Sequence, residues 1–159
     1  MSRPYMRVTF VDQQSLTIMN PKPWTCVEFS NCSYWHKTSL VAWKNLSSNQ
    51  YGIFYESDNC VSEVYFHYIS DRKGYAGDFR IFKKERFISS MMLGEMSTVY
   101  HRPSITYMSA CPKSSSDKEA DVIANETDSR IVWNIDDGST NIGGQSSNWN
   151  NVLPEIVST

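Results

Sequence analysis

The chain lacks the features that identify a membrane protein or a nucleotide-dependent enzyme. No apolar stretch reaches the roughly 18 residues that a membrane-spanning helix needs. Residues 1–20 contain no continuous apolar segment of the kind found in signal peptides. No GxGxxG motif or phosphate-binding loop occurs. We therefore predict no membrane span, and either a cytoplasmic protein or the mature form of a secreted one.

Residues that commonly bind metals or catalyse reactions are also scarce. The three histidines, His36, His67 and His101, form no HxH or HxxxH pair, so we predict no metal site and no cofactor. The acidic chain carries only a local basic cluster, which argues against nucleic acid as a partner. Residues 144–148 resemble a nucleophile elbow but end in asparagine instead of glycine, so we expect a loop there.

A small secreted hydrolase is one alternative that the sequence leaves open. Glycoside hydrolysis uses two carboxylates on opposite sides of a cleft. Surface carboxylates are far more common than such catalytic pairs, so the sequence favours a protein without catalytic activity. The candidate carboxylates are Glu56, Asp58 and Glu63, and Asp136 with Asp137.

Aromatic residues, in contrast, are abundant and favour strands. They make up 13% of the 159 residues, and this length suits a single domain. Segment 61–69 is predicted as a central strand because both of its faces are largely apolar or aromatic. The other predicted strands are residues 7–12, 24–29, 40–43, 52–56, 79–82, 87–93, 104–110 and 130–135.

Two parts of the chain follow the same order of elements. Each has an aromatic strand, a cysteine loop, a further strand, and a Thr-Ser or Ser-Ser pair before an apolar strand. Phe10 corresponds to Phe54, and residues 38–39 correspond to residues 89–90. Two units that each leave one apolar face exposed would bury those faces against each other. The sequence therefore predicts an all-β fold, a Greek-key β-sandwich of two four-strand units with additional C-terminal strands.

On these residues the chain resembles the βγ-crystallin fold family. The resemblance covers about residues 5–95 and rests on the FYES sequence of residues 54–57 and on the hydroxyl pair before each last strand. Within that fold, residues 88–92 (ISSMM) are most similar to small cysteine-containing secreted proteins of oomycetes and fungi. The family often binds calcium through acidic or amide residues before that pair. Here Arg86 places a positive charge at that position, so we predict no calcium site.

The cysteine content favours disulfide bonds and an extracellular location. The four cysteines form an even set without a CxxC motif or a histidine at zinc-ligand spacing. Disulfides are favoured over free thiols, and three pairings are open. The disulfide candidates are Cys26, Cys32, Cys60 and Cys111.

A lipocalin-like carrier of a small ligand is a second alternative, because similar aromatic strands can close into one barrel. Residues 24–27 (WTCV) and 57–60 (SDNC) resemble segments of tick salivary lipocalins. An enclosed apolar cavity would support a carrier, and two packed sheets would exclude one.

Charge is distributed unevenly along the chain. Residues 1–111 carry a net charge of +3 and residues 112–159 a net charge of −5, which together give −2. We predict a β-sandwich domain at residues 1–111 and an acidic, polar C-terminal extension at residues 112–159, with one or two strands packed on the same domain. A solvated extension is favoured over one lying on the basic cluster, because exposed ion pairs stabilise little. That cluster comprises Arg72, Lys73, Arg80, Lys83, Lys84 and Arg86.

Tryptophans complete the candidate binding residues. Trp43 lies within the apolar run LVAW and is predicted to be core, whereas Trp35 and Trp149 have polar neighbours and are predicted at the surface. With Arg80, Lys83, Lys84 and Arg86 they form the candidate binding set. We predict a non-catalytic secreted binding or structural module, including an effector-like role on a host or cell-surface partner that is a protein or a carbohydrate.

Overall fold

The computed structural model describes residues 3–70, 76–96, 103–112 and 129–135, and within them the chain is all-β. This confirms the predicted all-β class. The strands are β1 (Tyr5–Phe10), β2 (Ser15–Met19), β3 (Thr25–Glu28), β4 (Thr38–Lys44), β5 (Gln50–Tyr55), β6 (His67–Ile69), β7 (Gly77–Arg86), β8 (Ser90–Glu95), β9 (Thr106–Ser109) and β10 (Arg130–Asn134).

The strands form two sheets that pack face to face. Sheet A has the order β10-β2-β1-β4-β7, and sheet B has the order β6-β5-β8-β3-β9. Alternate residues of each strand point to the shared core, since successive side chains of a strand point to opposite faces. The large side chains of this core include Met6, Phe10, Leu16, Phe29, Trp43, Phe54, Ile88, Met91 and Leu93.

The two sheets correspond to each other strand by strand when β1–β4 and β5–β8 are taken as two units. The order β2-β1-β4 in sheet A matches β6-β5-β8 in sheet B, and each sheet then receives the third strand of the other unit. The register agrees with this correspondence. Thr38 pairs with Phe10 and with Arg86. Ser90 pairs with Tyr55 and with Glu28. Thr38 and Ser90 therefore each begin a strand that lies between two neighbours, although Thr38 pairs with a residue of the shared core and Ser90 pairs with Tyr55, which belongs to a different apolar cluster.

One strand prediction was wrong, and one strand was missed. Residues 61–69 were predicted as a central strand, but only His67–Ile69 forms one, and it lies at the edge of sheet B. Residues 61–66 follow the Cys26–Cys60 disulfide and the hydrogen bonds between Ser57 and Val61, and they form a loop instead of a strand. Strand β2 was not predicted, although Leu16 and Ile18 alternate with Ser15 and Thr17. All four side chains are buried, which an alternation of polar and apolar residues does not reveal.

A second apolar cluster covers the outer face of sheet B. It joins Trp24 and Cys26 of the β3 region with Ile53, Tyr55 and Met92, and Cys60 packs on it from the loop after β5. This loop is therefore fixed on top of the sheet and does not extend freely into solvent.

A buried arginine lies on the outer face of sheet A. Arg7 alternates with the core residues Met6 and Val8, so its side chain points away from the core. Its Nε donates a hydrogen bond of 2.8 Å to Thr17 Oγ1, and its guanidinium carbon lies 4.8 Å from the centre of the Tyr5 ring. Burial lowers the pKa of Arg7 and raises the pKa of Tyr5. Arg7 therefore joins β1 to β2 through a buried side-chain hydrogen bond on this outer face.

Candidate functional site

The edge strands β6 and β7 belong to different sheets and meet along one side of the sandwich. The ring of Phe82 on β7 lies 5.9 Å from that of Phe66 and 6.3 Å from that of Tyr68, both edge to face. We call this side the flank, and the loop of residues 56–66 that leads into it the corner loop. Aromatic contacts of this kind hold the two sheet edges together.

Three sets of bonds anchor the corner loop. The Cys26–Cys60 disulfide joins it to β3, with the two Cα atoms 6.0 Å apart. The buried hydroxyl of Ser90 donates to the Ser57 carbonyl at 2.6 Å and accepts from the Cys60 amide at 3.1 Å. Within the loop, the Ser57 hydroxyl donates to the Val61 carbonyl and accepts from the Val61 amide. The loop is thus a preformed element.

An ion pair fixes the first residue of the loop. The Glu56 carboxylate accepts a hydrogen bond of 2.8 Å from the Phe87 amide and lies 3.2 Å from Arg86 Nε. The Arg86 guanidinium in turn covers the Phe66 ring, with 3.6 Å between its central carbon and the ring centre. Because the pair is partly exposed, its charge contributes little to stability, and its role is to orient these side chains.

The anchored loop presents apolar side chains to solvent. Val64 is 86% exposed and Tyr65 is 53% exposed, and Phe87, which follows β7 and whose amide donates to the Glu56 carboxylate, is also exposed. Bonds at Cys60, at Val61 and between Glu56 and Phe66 hold the loop on both sides of these residues, which reduces the conformational freedom lost on binding a partner. Exposed apolar side chains on a preformed loop are typical of a contact surface.

The structure brings some of the predicted binding residues to the flank. Trp35 is half-buried, its Nε1 donates to the Ile88 carbonyl at 2.8 Å, and its ring lies 6.0 Å from that of Phe87. Arg86 lies at this same end of β7. Arg80 lies towards the other end, 5.7 Å from the centre of the Tyr68 ring. Lys83 and Lys84 are exposed on β7 and, as neighbours in a strand, point to opposite faces. Trp149 lies outside the described residues.

Cations already cover several aromatic faces of this surface. Arg86 covers Phe66, and Arg80 approaches Tyr68. Lys37 Nζ lies 5.6 Å from the centre of the Phe87 ring. Stacking on a sugar ring needs a free aromatic face, so these rings are poorly placed for carbohydrate. The arrangement suits contact with a protein better.

Sequence reasoning did not identify the corner loop as a candidate site. Its most exposed large apolar residues, Val64 and Tyr65, lie within the segment that was predicted as a strand. Cys60 was recognised only as a disulfide candidate, and Glu56 only as a carboxylate. Among the described residues no group of three or more His, Cys, Asp or Glu could hold a metal ion. None of the described segments is a helix of the length and apolar character needed to cross a membrane.

The hydroxyls of Ser90 and Thr38, which stand at the starts of β8 and β4, differ in their partners. The Ser90 hydroxyl holds the long corner loop, whereas the Thr38 hydroxyl is buried without a hydrogen-bond partner in the described part of the chain. The connection between β1 and β2 explains this difference. It is a tight turn closed by hydrogen bonds from the Phe10 amide to the Gln14 carbonyl and from the Gln13 amide to the Phe10 carbonyl, and its Val11 amide donates to the Lys37 carbonyl and not to Thr38.

Replacement of Thr38 by valine is therefore expected to raise the free energy of unfolding by about 1 kcal/mol, because it removes an unpaired buried hydroxyl and keeps the side-chain shape. Ser90→Ala is the matched comparison and is expected to lower it by about 2 kcal/mol, since the Cys60 amide would lose its partner. Urea denaturation measures both. A destabilised Thr38→Val protein would show that this hydroxyl is hydrogen-bonded.

The fold and the flank together define a disulfide-bonded all-β sandwich with an anchored, apolar surface loop. A scan against protein-family models and searches of curated proteins and of solved structures found no match to this chain. The resemblance to the βγ-crystallin fold therefore stays a prediction.

Proposed function

We propose that the protein is a non-catalytic secreted binding module that contacts a protein on a host or cell surface, in an effector-like role. The observation that carries this proposal is the corner loop, in which a disulfide and the Ser90 hydroxyl fix a segment that exposes Val64 and Tyr65. A loop that is already ordered before it meets a partner binds more tightly, because its conformational entropy was lost on folding and is not lost again on binding. A βγ-crystallin-like scaffold would serve as the support for this loop.

The disulfides support a secreted location. All four cysteines are paired, as Cys26–Cys60 and Cys32–Cys111. Stable disulfides form in oxidising compartments and are rare in the reducing cytosol. The second bond joins the loop after β3 to the residue range after β9, so both bonds cross-link segments distant in sequence.

The surface loop supports a binding function better than the carrier and hydrolase alternatives. The two sheets pack against each other, and an apolar pocket between them, lined by Met6, Val27 and Met91 among others, has room for about one water molecule. This pocket is smaller than a small-ligand carrier needs, and two packed sheets favour a binding module over the single closed barrel of a carrier. The Glu56 carboxylate, one of the candidate catalytic residues, is committed to Arg86 and to the Phe87 amide.

Binding of the labelled native protein to intact cells tests the proposal. The protein should first gain the mass of four hydrogens on reduction, since it holds two disulfides. We then expect saturable binding that protease treatment of the cells removes. Val64→Asp should weaken it at least about tenfold, because it places a charge in the centre of the contact.

Met96→Asp is the matched control, since Met96 is also an exposed apolar residue but lies at the opposite end of β8 from Ser90. This variant should bind as the original protein does. Four free thiols in native material would contradict the secreted location. Equal loss of binding in both variants would contradict the role of the corner loop, and loss after glycosidase treatment alone would indicate a carbohydrate partner instead.

A further inference from the structure

Strand β9 is the outermost strand of sheet B in the described part of the structure. It runs parallel to β3, and all four of its residues are exposed. Tyr107 is 60% exposed and Met108 is 37% exposed, so a large apolar side chain is exposed on each face of the strand at this edge. Exposed edge strands can pair with a further strand, because one row of backbone donors and acceptors is open.

The other described sheet edges carry features that oppose such pairing. Strand β6 has only three residues, and six of the ten residues of β7 are charged. Strand β10 carries Arg130. Strand β9 has the sequence TYMS, without charge, proline or register shift. Short length, charge, proline and bulges are the usual protections of an edge, so β9 is the least protected of the four.

The hydrogen bonds of β9 show which of its backbone groups point outwards. The Thr106 amide donates to the Trp24 carbonyl at 3.0 Å, and the Ala110 amide donates to the Glu28 carbonyl at 2.8 Å. Backbone groups of successive residues in a strand point to opposite sides. The amide and carbonyl groups of Tyr107 and Ser109 therefore point away from β3, towards the side on which the described residues supply no further strand.

We propose that β9 pairs with β9 of a second copy of the chain, in antiparallel orientation about a two-fold axis. In the register that matches the outward groups, Tyr107 exchanges hydrogen bonds with the second copy's Ser109, and Met108 lies opposite the second copy's Met108. Sheet B then continues from one copy into the other. Tyr107 and Met108 lose exposed apolar surface in this arrangement.

A second copy is the favoured occupant because a two-fold axis places each strand against its own sequence. A charged edge such as β7 would then set like charges close together, which is destabilising. The uncharged strand β9 meets no such repulsion, and both copies supply matching outward amides and carbonyls. The contact is isologous, so it closes after two copies and does not extend into a fibre.

Sedimentation equilibrium of the full chain tests this proposal. The paired segment is short, so we expect a reversible monomer–dimer equilibrium with a dissociation constant on the order of 10 to 100 µM. Tyr107→Lys should weaken the dimer at least about tenfold, because it introduces a charge at each edge. Ile69→Lys is the control: Ile69 is a similarly exposed residue at the opposite edge of sheet B, and its replacement should leave the dimer unchanged.

Amide hydrogen exchange adds a readout that depends on the direction of each backbone group. The amides of Tyr107 and Ser109 should become protected as protein concentration rises, while Thr106 and Ala110 should be protected at every concentration. A protein that stays monomeric at millimolar concentration would overturn the proposal. So would a dimer that Ile69→Lys disrupts and Tyr107→Lys does not, or protection of Tyr107 and Ser109 that does not change with concentration.

Discussion

A protein in which Cys26 and Cys60 are both replaced by alanine is expected to lose about 4 kcal/mol of its free energy of unfolding. The bond closes a chain segment with a sequence separation of 34 residues, and its removal increases the conformational freedom of the unfolded chain. The loss also has a local part, because Cys60 packs on the outer apolar cluster of sheet B. Urea denaturation of the double variant measures the total.

Hydrogen exchange separates the two parts of this effect. Amides of the corner loop, Cys60 and Val61 among them, should exchange faster in the Cys26→Ala/Cys60→Ala protein, while those of β1 and β4 should change only with global stability. The Cys32→Ala/Cys111→Ala protein is the matched control, since it also loses a disulfide but not the bond to the corner loop. A loss below about 1 kcal/mol in the first variant would mean that the loop is held by hydrogen bonds alone.

Replacement of Trp43 by alanine is the second change with a large expected effect, a loss of about 3 to 5 kcal/mol. Trp43 is 1% exposed, and its ring lies 6.4 Å from that of Phe54 and 6.1 Å from that of Tyr68. It therefore connects sheet A to both β5 and β6 of sheet B. Its removal leaves a cavity that the two rigid sheets cannot fill by moving together.

Trp35→Ala provides the comparison for this prediction. Trp35 is half-buried and keeps one hydrogen bond to the Ile88 carbonyl, so its replacement should cost clearly less than that of Trp43. Thermal unfolding followed by circular dichroism measures both. Equal losses in the two variants would contradict the assignment of Trp43 to the centre of the sandwich.

The sandwich itself could be predicted from the sequence because its strands are short, aromatic and alternating. The core position of Trp43 followed from the apolar run around it, and it is confirmed. The spacing of Phe10 and Phe54 indicated two similar units, and both side chains do lie in the shared core. Patterns of this kind are local, so they can be read without knowing which strands pair.

The corner loop could not be predicted in the same way because its shape depends on distant residues. Residues 61–66 have the apolar character of a strand, but the disulfide to Cys26 and the hydroxyl of Ser90 hold the loop that contains them. Neither partner can be identified from the local sequence. Arg86 is similar: it was recognised as a cation, while its pairing with Glu56 and its position over Phe66 depend on the meeting of two sheet edges.

Strands β3 and β7 are the third strands of the units β1–β4 and β5–β8, and their positions affect how the protein folds. Each completes the sheet of the other unit, so β3 pairs with β8 and β4 pairs with β7, across long stretches of intervening chain. Such non-local pairing raises the contact order and makes folding slow, because long loops must close before these contacts form. Neither half of the chain can complete a sheet by itself. The two units should therefore unfold in one cooperative transition, and a fragment containing one of them should stay unfolded.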